Sequence, residues 1–591
     1  MKWGPDRWRL YALALAEAGR ALKAGLAGLV MAPNILRPAP WRLLIAPQDL
    51  RTADPTVASD IYGGHFAFAG RLVATGGRSP FEVDPPSRAW AETLYGFGWL
   101  RHLRAADTAL ARANARALVN EFVSRRGNHR AIVRATPVTA RRLLSFLAQS
   151  PLLLEGAEHG FYQRLLRSID RMARDLSRDM RHATQPLHRL TAAVALCYAG
   201  LCCEGFERVF WRARRQLARE LDRQILPDGG HRSRNPQVAV ELLLDLMPLR
   251  QAFASRSLDP PEEMANAIDR MLPLLRLLRQ GDGSLGRFHG MGRTAADQLA
   301  TLLMYEGARG HAMRRAPRSG YERLEAGKTV VVAEVGPAPS VEYATHAHAG
   351  CLSFEMSSGT QAVVVNCGAA CGTNDETRRA SRSTAAHSTA TIAETSSGRF
   401  LARQGWFAER WIAGWLIRRL GQALIRGPRE VPVDRREAAE AGSDILLRAS
   451  HDGYRRFGIM HERIWRLSGT GARLEGEDGF ARPGSRTGAV PVAIRFHLAP
   501  GVRASRVQGG DAVVILLPNR EAWQFEAEGV EPALEESIFF AASEGLRRAE
   551  QIVLSFDAGK APRVKWRFER LAREGTRHAP RGGDPEPPSL L

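Results

Sequence analysis

The chain has 591 residues, 45% of them hydrophobic and 25% charged, which leaves room for two or three cores and excludes a disordered, collagen-like or all-coiled-coil polypeptide. Lys plus Arg number 83 against 62 Asp plus Glu, a formal charge of +21. Only Lys2, Lys23, Lys328, Lys560 and Lys565 are lysines, so the excess is arginine. Guanidinium forks suit bidentate contact with carboxylate, sulfate or phosphate, and the balance fits either an acidic polymer as partner or a solvated arginine-rich surface. Nucleic acid is not indicated, because there is no recognition motif and no basic stripe interleaved with aromatics.

In chain order, Met1 to Arg37 opens with Lys2, Arg7 and Arg9 ahead of an Ala/Leu-rich stretch that Glu17, Arg20 and Lys23 interrupt. The pattern predicts an amphipathic helix within residues 1–40, able to make a peripheral membrane contact, and no clear signal peptide. No run of about 18 apolar residues occurs, so no membrane span is expected. Apolar residues then recur at three and four positions in Trp90–Arg104, Ala106–Ser124, Val138–Ala148, Phe161–Arg178, Leu187–Cys203, Phe206–Ile225, Gln237–Arg256, Pro261–Gln280 and Ala295–Arg309. They are separated by breaks such as Pro227-Asp228-Gly229-Gly230 and Gly281-Asp282-Gly283, with the chemistry of turns. Near Tyr321 the texture changes to short β-branched or alternating runs, from Lys328–Val335 to Gln551–Asp557. The prediction is a helical domain over 41–320, incomplete-toroid packing being one arrangement of its hairpins, then an antiparallel β-sandwich over 321–572 and a disordered tail over 573–591. Six cysteines in no CxxC pattern read as reduced and mostly buried.

Two constellations carry candidate chemistry. Arg232, Arg234 and Asn235 form a donor cluster beside His231, suited to a carboxylate or sulfate. The competing reading is a helix N-terminus, with Asn235 as cap ahead of Pro236. His289 lies between glycines in GRFHGMG, on a loop of the kind where ligand contacts often sit. In the β half, His346 and His348 would share one face if they lie on a strand. With His387 they are candidates for holding a metal, zinc or calcium, and also for proton transfer or substrate contact. Asn366 and Cys367 stand nearby, and Tyr343 is a candidate base.

The segments Gly64-His65-Phe66-Ala67-Phe68, ILPDGGH (Ile225 to His231), HAHAGCLSFE (His346 to Glu355) and RSTAAHSTAT (Arg382 to Thr391), in this order, resemble the heparinase II/III family of polysaccharide lyases. The resemblance implies an incomplete α/α toroid followed by an antiparallel β-sandwich, with a sugar groove between them. It also implies β-elimination of an acidic, uronate-containing polysaccharide in the cell envelope or periplasm; the lack of a signal peptide leaves the cytoplasm as the alternative. That chemistry needs the uronate carboxylate neutralised, a base for the C5 proton and an acid for the leaving oxygen. In family members an Asn-His pair, a Tyr and further His supply these groups. Here His188 matches the histidine, but Leu187 stands at the asparagine position and Val238 at the tyrosine position. The expected function is therefore a carbon–oxygen lyase working through His188, His348, His387 or Tyr343, with His231, Arg232, Arg234, Asn235 and His289 on the substrate. The alternative is a non-catalytic acidic-polysaccharide-binding protein. No sequence feature sets an oligomeric state.

Overall fold

The computed structural model describes residues 7–29, 42–125, 130–304, 313–370, 375–437, 442–481, 489–542 and 545–571. The expected tail over 573–591 lies outside them. Helices run as far as Ala296–Met304, and from Arg315–Ala316 onward the chain is mainly strand.

The helical half is built from antiparallel hairpins around one apolar core. The helices Thr136–Ala148, His159–His182, Pro186–Cys202 and Glu207–Gln224 pack in succession. Pro186–Cys202 is its centre: Leu190, Val194, Leu196, Cys197 and Leu201 are all buried. The predicted Trp90–Arg104 helix is broken into Arg88–Gly96 and Leu100–Ala106, because Phe97 adopts φ 56° and turns the chain there. A short hairpin, His65–Phe68 with Arg71–Ala74, sends Phe66 and Phe68 against Trp90 and Trp99.

The β half holds two large antiparallel sheets and, among the described residues, a small pair of strands, 399–400 with 424–426. One runs in the order 433–437, 445–451, 460–467, 473–481, 563–570, 522–527, 512–516, 503–506. The other centres on 491–498, 361–365, 354–358, 329–334 and 321–326. Alternate residues of both sheets face inward, as in any sandwich, and Phe354, Trp465, Phe496, Trp523, Trp566 and Phe568 fill the space between. Within that core Arg463 makes bidentate contact with Asp478, which also accepts from His461 and Trp566; a charge buried this deeply has to be paired.

The two halves are joined by the ILPDGGH loop. Ile225 bridges to His231, and the tip presents Asp228, whose carboxylate accepts from the Arg318 and Ser319 amides at 2.7 and 2.8 Å and from the Ser319 hydroxyl at 2.6 Å. Gly229 has φ 87°, and a Cβ there would meet the Arg270 carbonyl at 2.0 Å, so only glycine fits. A second contact of the same kind places Gly281 against Gly359, with its amide donating to Ser357 Oγ.

Two further helices, Arg7–Leu29 and Phe407–Leu420, form a third, small core with Ala344, Ala347 and Leu424. They roof the loop that carries Tyr343, His346 and His348. The second of them, inserted into the β half, is not among the predicted elements, because its Trp- and Arg-rich sequence has no clean apolar stripe.

Candidate functional site

At the junction of the halves the loops bring together a buried group of polar side chains. Glu334, at the end of the Thr329–Glu334 strand, is the charged centre. His289 Nε2 lies 2.7 Å from one of its oxygens and Arg234 Nη1 3.3 Å from the same oxygen. Burial opposes the charge on Glu334, but His289 and Arg234 overcome it and hold the carboxyl at about 2. His289 is held at φ 45°, and its Nδ1 accepts from the His348 amide at 3.3 Å. His387 donates from Nδ1 to the Ser383 carbonyl at 2.7 Å, so its Nε2 is the acceptor for His348 Nδ1–H at 3.0 Å. One tautomer satisfies each ring. Burial keeps these imidazoles neutral: His387 falls to about 4 and His348 well below its ordinary value, with the neighbouring His387 adding to the effect.

Outside this layer lie more accessible side chains. His188, in the first turn of Pro186–Cys202, is partly exposed, and burial together with the charge of Arg88 lowers it to about 4. His346 is exposed and shares the field of Arg378, Arg382, His188 and Arg88. Arg88 also holds Glu92 at 2.7 Å. Sequence reading did not pick out Glu334, Arg88 or Arg378. For Glu334 a signal existed, an isolated acid closing the apolar run KTVVVAEV.

The remaining predicted residues are placed differently. Arg234 is not free to bind a ligand. Its guanidinium donates to the carbonyls of Ser319 (2.7 Å), Gly320 (3.0 Å), Gly336 (3.0 Å) and Pro337 (2.7 Å). Asn235 is the cap of Pro236–Ser255, accepting from the Gln237 amide at 2.9 Å, so the helix-terminus reading describes both residues. Arg232 is exposed and donates to the Arg223 carbonyl. His231 is buried, accepts at Nδ1 from the Ser233 amide, donates from Nε2 to Gln224 and is pushed to about 3 by burial. Its ring meets that of Tyr343 edge-on at 5.7 Å. The Tyr343 hydroxyl is buried without a hydrogen-bond partner among the described residues, and burial raises its pKa. Leu187 and Val238 offer only hydrocarbon, and Val238 packs on the helical core.

The candidate metal ligands His346, His348 and His387 do not share one strand face. His346 and His348 lie on a loop after the Val341–Tyr343 turn, not on a strand, and differ in exposure. His348 and His387 direct their nitrogens at each other. Among the described residues no three His, Cys, Asp or Glu side chains converge on a point that would hold an ion. Asn366 accepts from the Ser388 amide, and the Cys367 sulfur sits 3.4 Å from His497.

Comparison with known proteins agrees with this architecture. A family profile described as "Heparinase II/III-like, C-terminal" matches residues 308–567. FtsZ-localized protein C of Caulobacter vibrioides is 30% identical over 554 residues, 92% of this chain and 92% of that protein. Among solved structures, heparinase III superposes with a TM-score of 0.65 at 12% identity, covering 84% of this chain and 80% of that one. Heparan sulfate lyase HepC from Pedobacter heparinus superposes with a TM-score of 0.56 at 14% identity, covering 96% and 89%. At these identities the two structures show a shared fold, a toroid followed by a sandwich.

Proposed function

The chain belongs to the heparinase II/III-like family, and from that membership we propose that it binds an acidic, uronate-containing polysaccharide at the cell envelope without cleaving it. The fold is that of polysaccharide lyases, and the family supports a lyase kind of chemistry. What favours binding over elimination is the condition of the groups that elimination needs. Arg234, the best-placed carboxylate neutraliser, is engaged by four backbone carbonyls and Glu334. His231, His289, His348 and His387 are buried, and Leu187 and Val238 cannot donate a proton. Nearer the surface, Arg88 is exposed and Arg378 partly exposed, and the two supply charge for a polyanion.

The test is titration of the full-length protein with heparan sulfate, chondroitin sulfate and polygalacturonate, while following ultraviolet absorbance for a conjugated unsaturated uronate. Salt-sensitive binding without product is expected, with Arg88→Ala and Arg378→Ala each weakening it about tenfold, the usual scale for a hydrogen bond to a charged group. Appearance of product overturns this reading and makes His188, neutral at pH 7, the base to remove.

A second reading is favoured by the match along 92% of both chains with a protein named for its localisation to FtsZ: this chain is likewise recruited to FtsZ. Sedimentation with polymerised FtsZ from the same organism is expected to carry the chain into the pellet. If it stays in the supernatant, this second reading falls.

A further inference from the structure

The helix Glu207–Gln224 carries a row of arginines that the site at the junction of the halves does not use. Arg208, Arg212, Arg215, Arg219 and Arg223 recur at steps of four, three, four and four residues, so they stand on one face, and all five are exposed. The opposite face, Val209, Phe210, Ala213, Leu217 and Leu221, is buried in the toroid. At 1.5 Å per residue the row is about 22 Å long. Among the described residues no carboxylate lies within ion-pair distance of Arg208, Arg212, Arg215 or Arg219. Of the helix's own acids, Glu220 is buried against Arg189, Glu207 accepts from the Gly205 amide, and Asp222 stands exposed at the edge of the row.

The row ends in a hollow. Arg223 lines a depression of about 320 Å³ together with Arg20, Arg181, Arg189, Arg419 and Glu342. Arg223 and Arg20 reach Glu342 only at 3.7 and 3.9 Å, Arg20 and Arg419 share Glu17, and Arg189 holds Glu220 at 2.9 Å. Among the described residues five cations therefore face three carboxylates. Glu342 precedes Tyr343 and Arg189 follows His188, so the hollow adjoins the elements that carry both of those candidates.

Guanidinium groups set in line, with too few acids to neutralise them, complement a linear polyanion. The row is not built for a bilayer, since the helix turns its apolar side into the toroid and not outward. Nor does it stack bases: its one exposed aromatic, Trp211, has the Arg214 guanidinium over the ring, 5.7 Å from the centroid. We propose that the row and the hollow at its end bind a stretch of the acidic polysaccharide through its carboxylate or sulfate groups, a second contact outside the junction of the halves; the proposal rests on the polysaccharide reading of that junction. A polymer long enough to hold both contacts at once binds more tightly than either contact alone allows.

The test uses the full-length protein in lipid-free buffer, with calorimetric titration of heparan sulfate, chondroitin sulfate and polygalacturonate. The quadruple variant Arg208→Gln, Arg212→Gln, Arg215→Gln, Arg219→Gln changes only exposed side chains and keeps good helix formers, so its thermal unfolding should match wild type. Its affinity for the polymer that wild type binds best is expected to fall at least about tenfold, and the slope of log K against log salt to flatten by about three, the scale for four contacts to a single-stranded polyanion. A control, Arg503→Gln, Arg520→Gln, Arg547→Gln, Arg548→Gln, removes the same charge from exposed positions of the β half and should bind like wild type. Equal weakening by both variants reports net charge alone and overturns the proposal, as does unchanged binding by the first. Wild-type preference for single-stranded DNA over every glycan, lost in the same quadruple variant, also overturns it and makes the row a nucleic-acid surface. Glycan binding that survives in the quadruple variant but not in Arg88→Ala, Arg378→Ala overturns the second contact and keeps the junction. The reverse result keeps the row and removes the junction, and wild-type protein that binds none of the glycans overturns both.

Discussion

Arg234→Ala is expected to destabilise the protein by about 4 kcal/mol, the largest loss from any single change at the junction of the halves. The substitution leaves the carbonyls of Ser319, Gly320, Gly336 and Pro337 without their donor and removes a cation from buried Glu334. Removing one partner of a buried ion pair costs about 3–5 kcal/mol, and unmet buried acceptors add to that. Relief of the left-handed backbone is not part of the change, because alanine at φ 59° is no more comfortable than arginine. Arg234→Lys keeps the charge but not the planar fork and should recover only part of the loss. Urea unfolding followed by circular dichroism and by tryptophan fluorescence checks this. Separate transitions for the helical and β halves are expected in the alanine variant, and a midpoint within about 0.5 kcal/mol of wild type would show that Arg234 is no clamp.

Acid is expected to unfold the protein at unusually mild pH. His231, His387 and His497 are buried neutral, at about 3, 4 and 3 against an ordinary 6.5, burial being the main cause in each. A base depressed in the folded state is protonated first in the unfolded chain, so the unfolded state binds more protons between these values. Stability is then complete above about pH 6.5 and is lost as pH falls towards 4 and 3. At pH 5 each such histidine costs about 2 kcal/mol relative to neutral pH, and three together cost about 6, comparable to the whole stability of many domains. Glu334 enters lower, its contribution fading as pH drops from about 4.5 towards 2. Thermal melts from pH 7.5 to 4.5 should show Tm falling steeply below pH 6.5, and His231→Gln should flatten the slope by about one proton. A Tm independent of pH over that range would mean that the rings are solvated.

The large divisions of the molecule were legible because they rest on periodicity: the last described helix of the helical half ends at Met304 and the first strand of the sandwich sheets begins at Arg315, close to the change of texture seen near Tyr321. The positions of His348 and His387 could be read from short phrases, and the two rings meet at 3.0 Å, while His188 lies in the field of His346. The state of those residues was hidden. Nothing in HRSRN separates an arginine that grips a ligand from one that grips its own backbone, since both need the same donors. The difference lies in carbonyls some 85 to 103 residues away. The arginine excess is partly explained in the same way: Arg142, Arg234, Arg382 and Arg463 are buried and donate to main-chain oxygens. Composition alone leaves open a polyanion partner or a solvated arginine-rich surface. The Phe407–Leu420 helix was missed because Phe407 and Trp411 are exposed while Leu416 and Leu420 are buried, which blurs a stripe.

The Asp228 tip and the Arg234 fork act on neighbouring stretches of the chain, residues 318–320 and 336–337. Two staples on either side of one seam remove the freedom that a hinge needs. Any shift of the toroid against the sandwich has to break these bonds first, so the relative placement of the two halves is set when the chain folds.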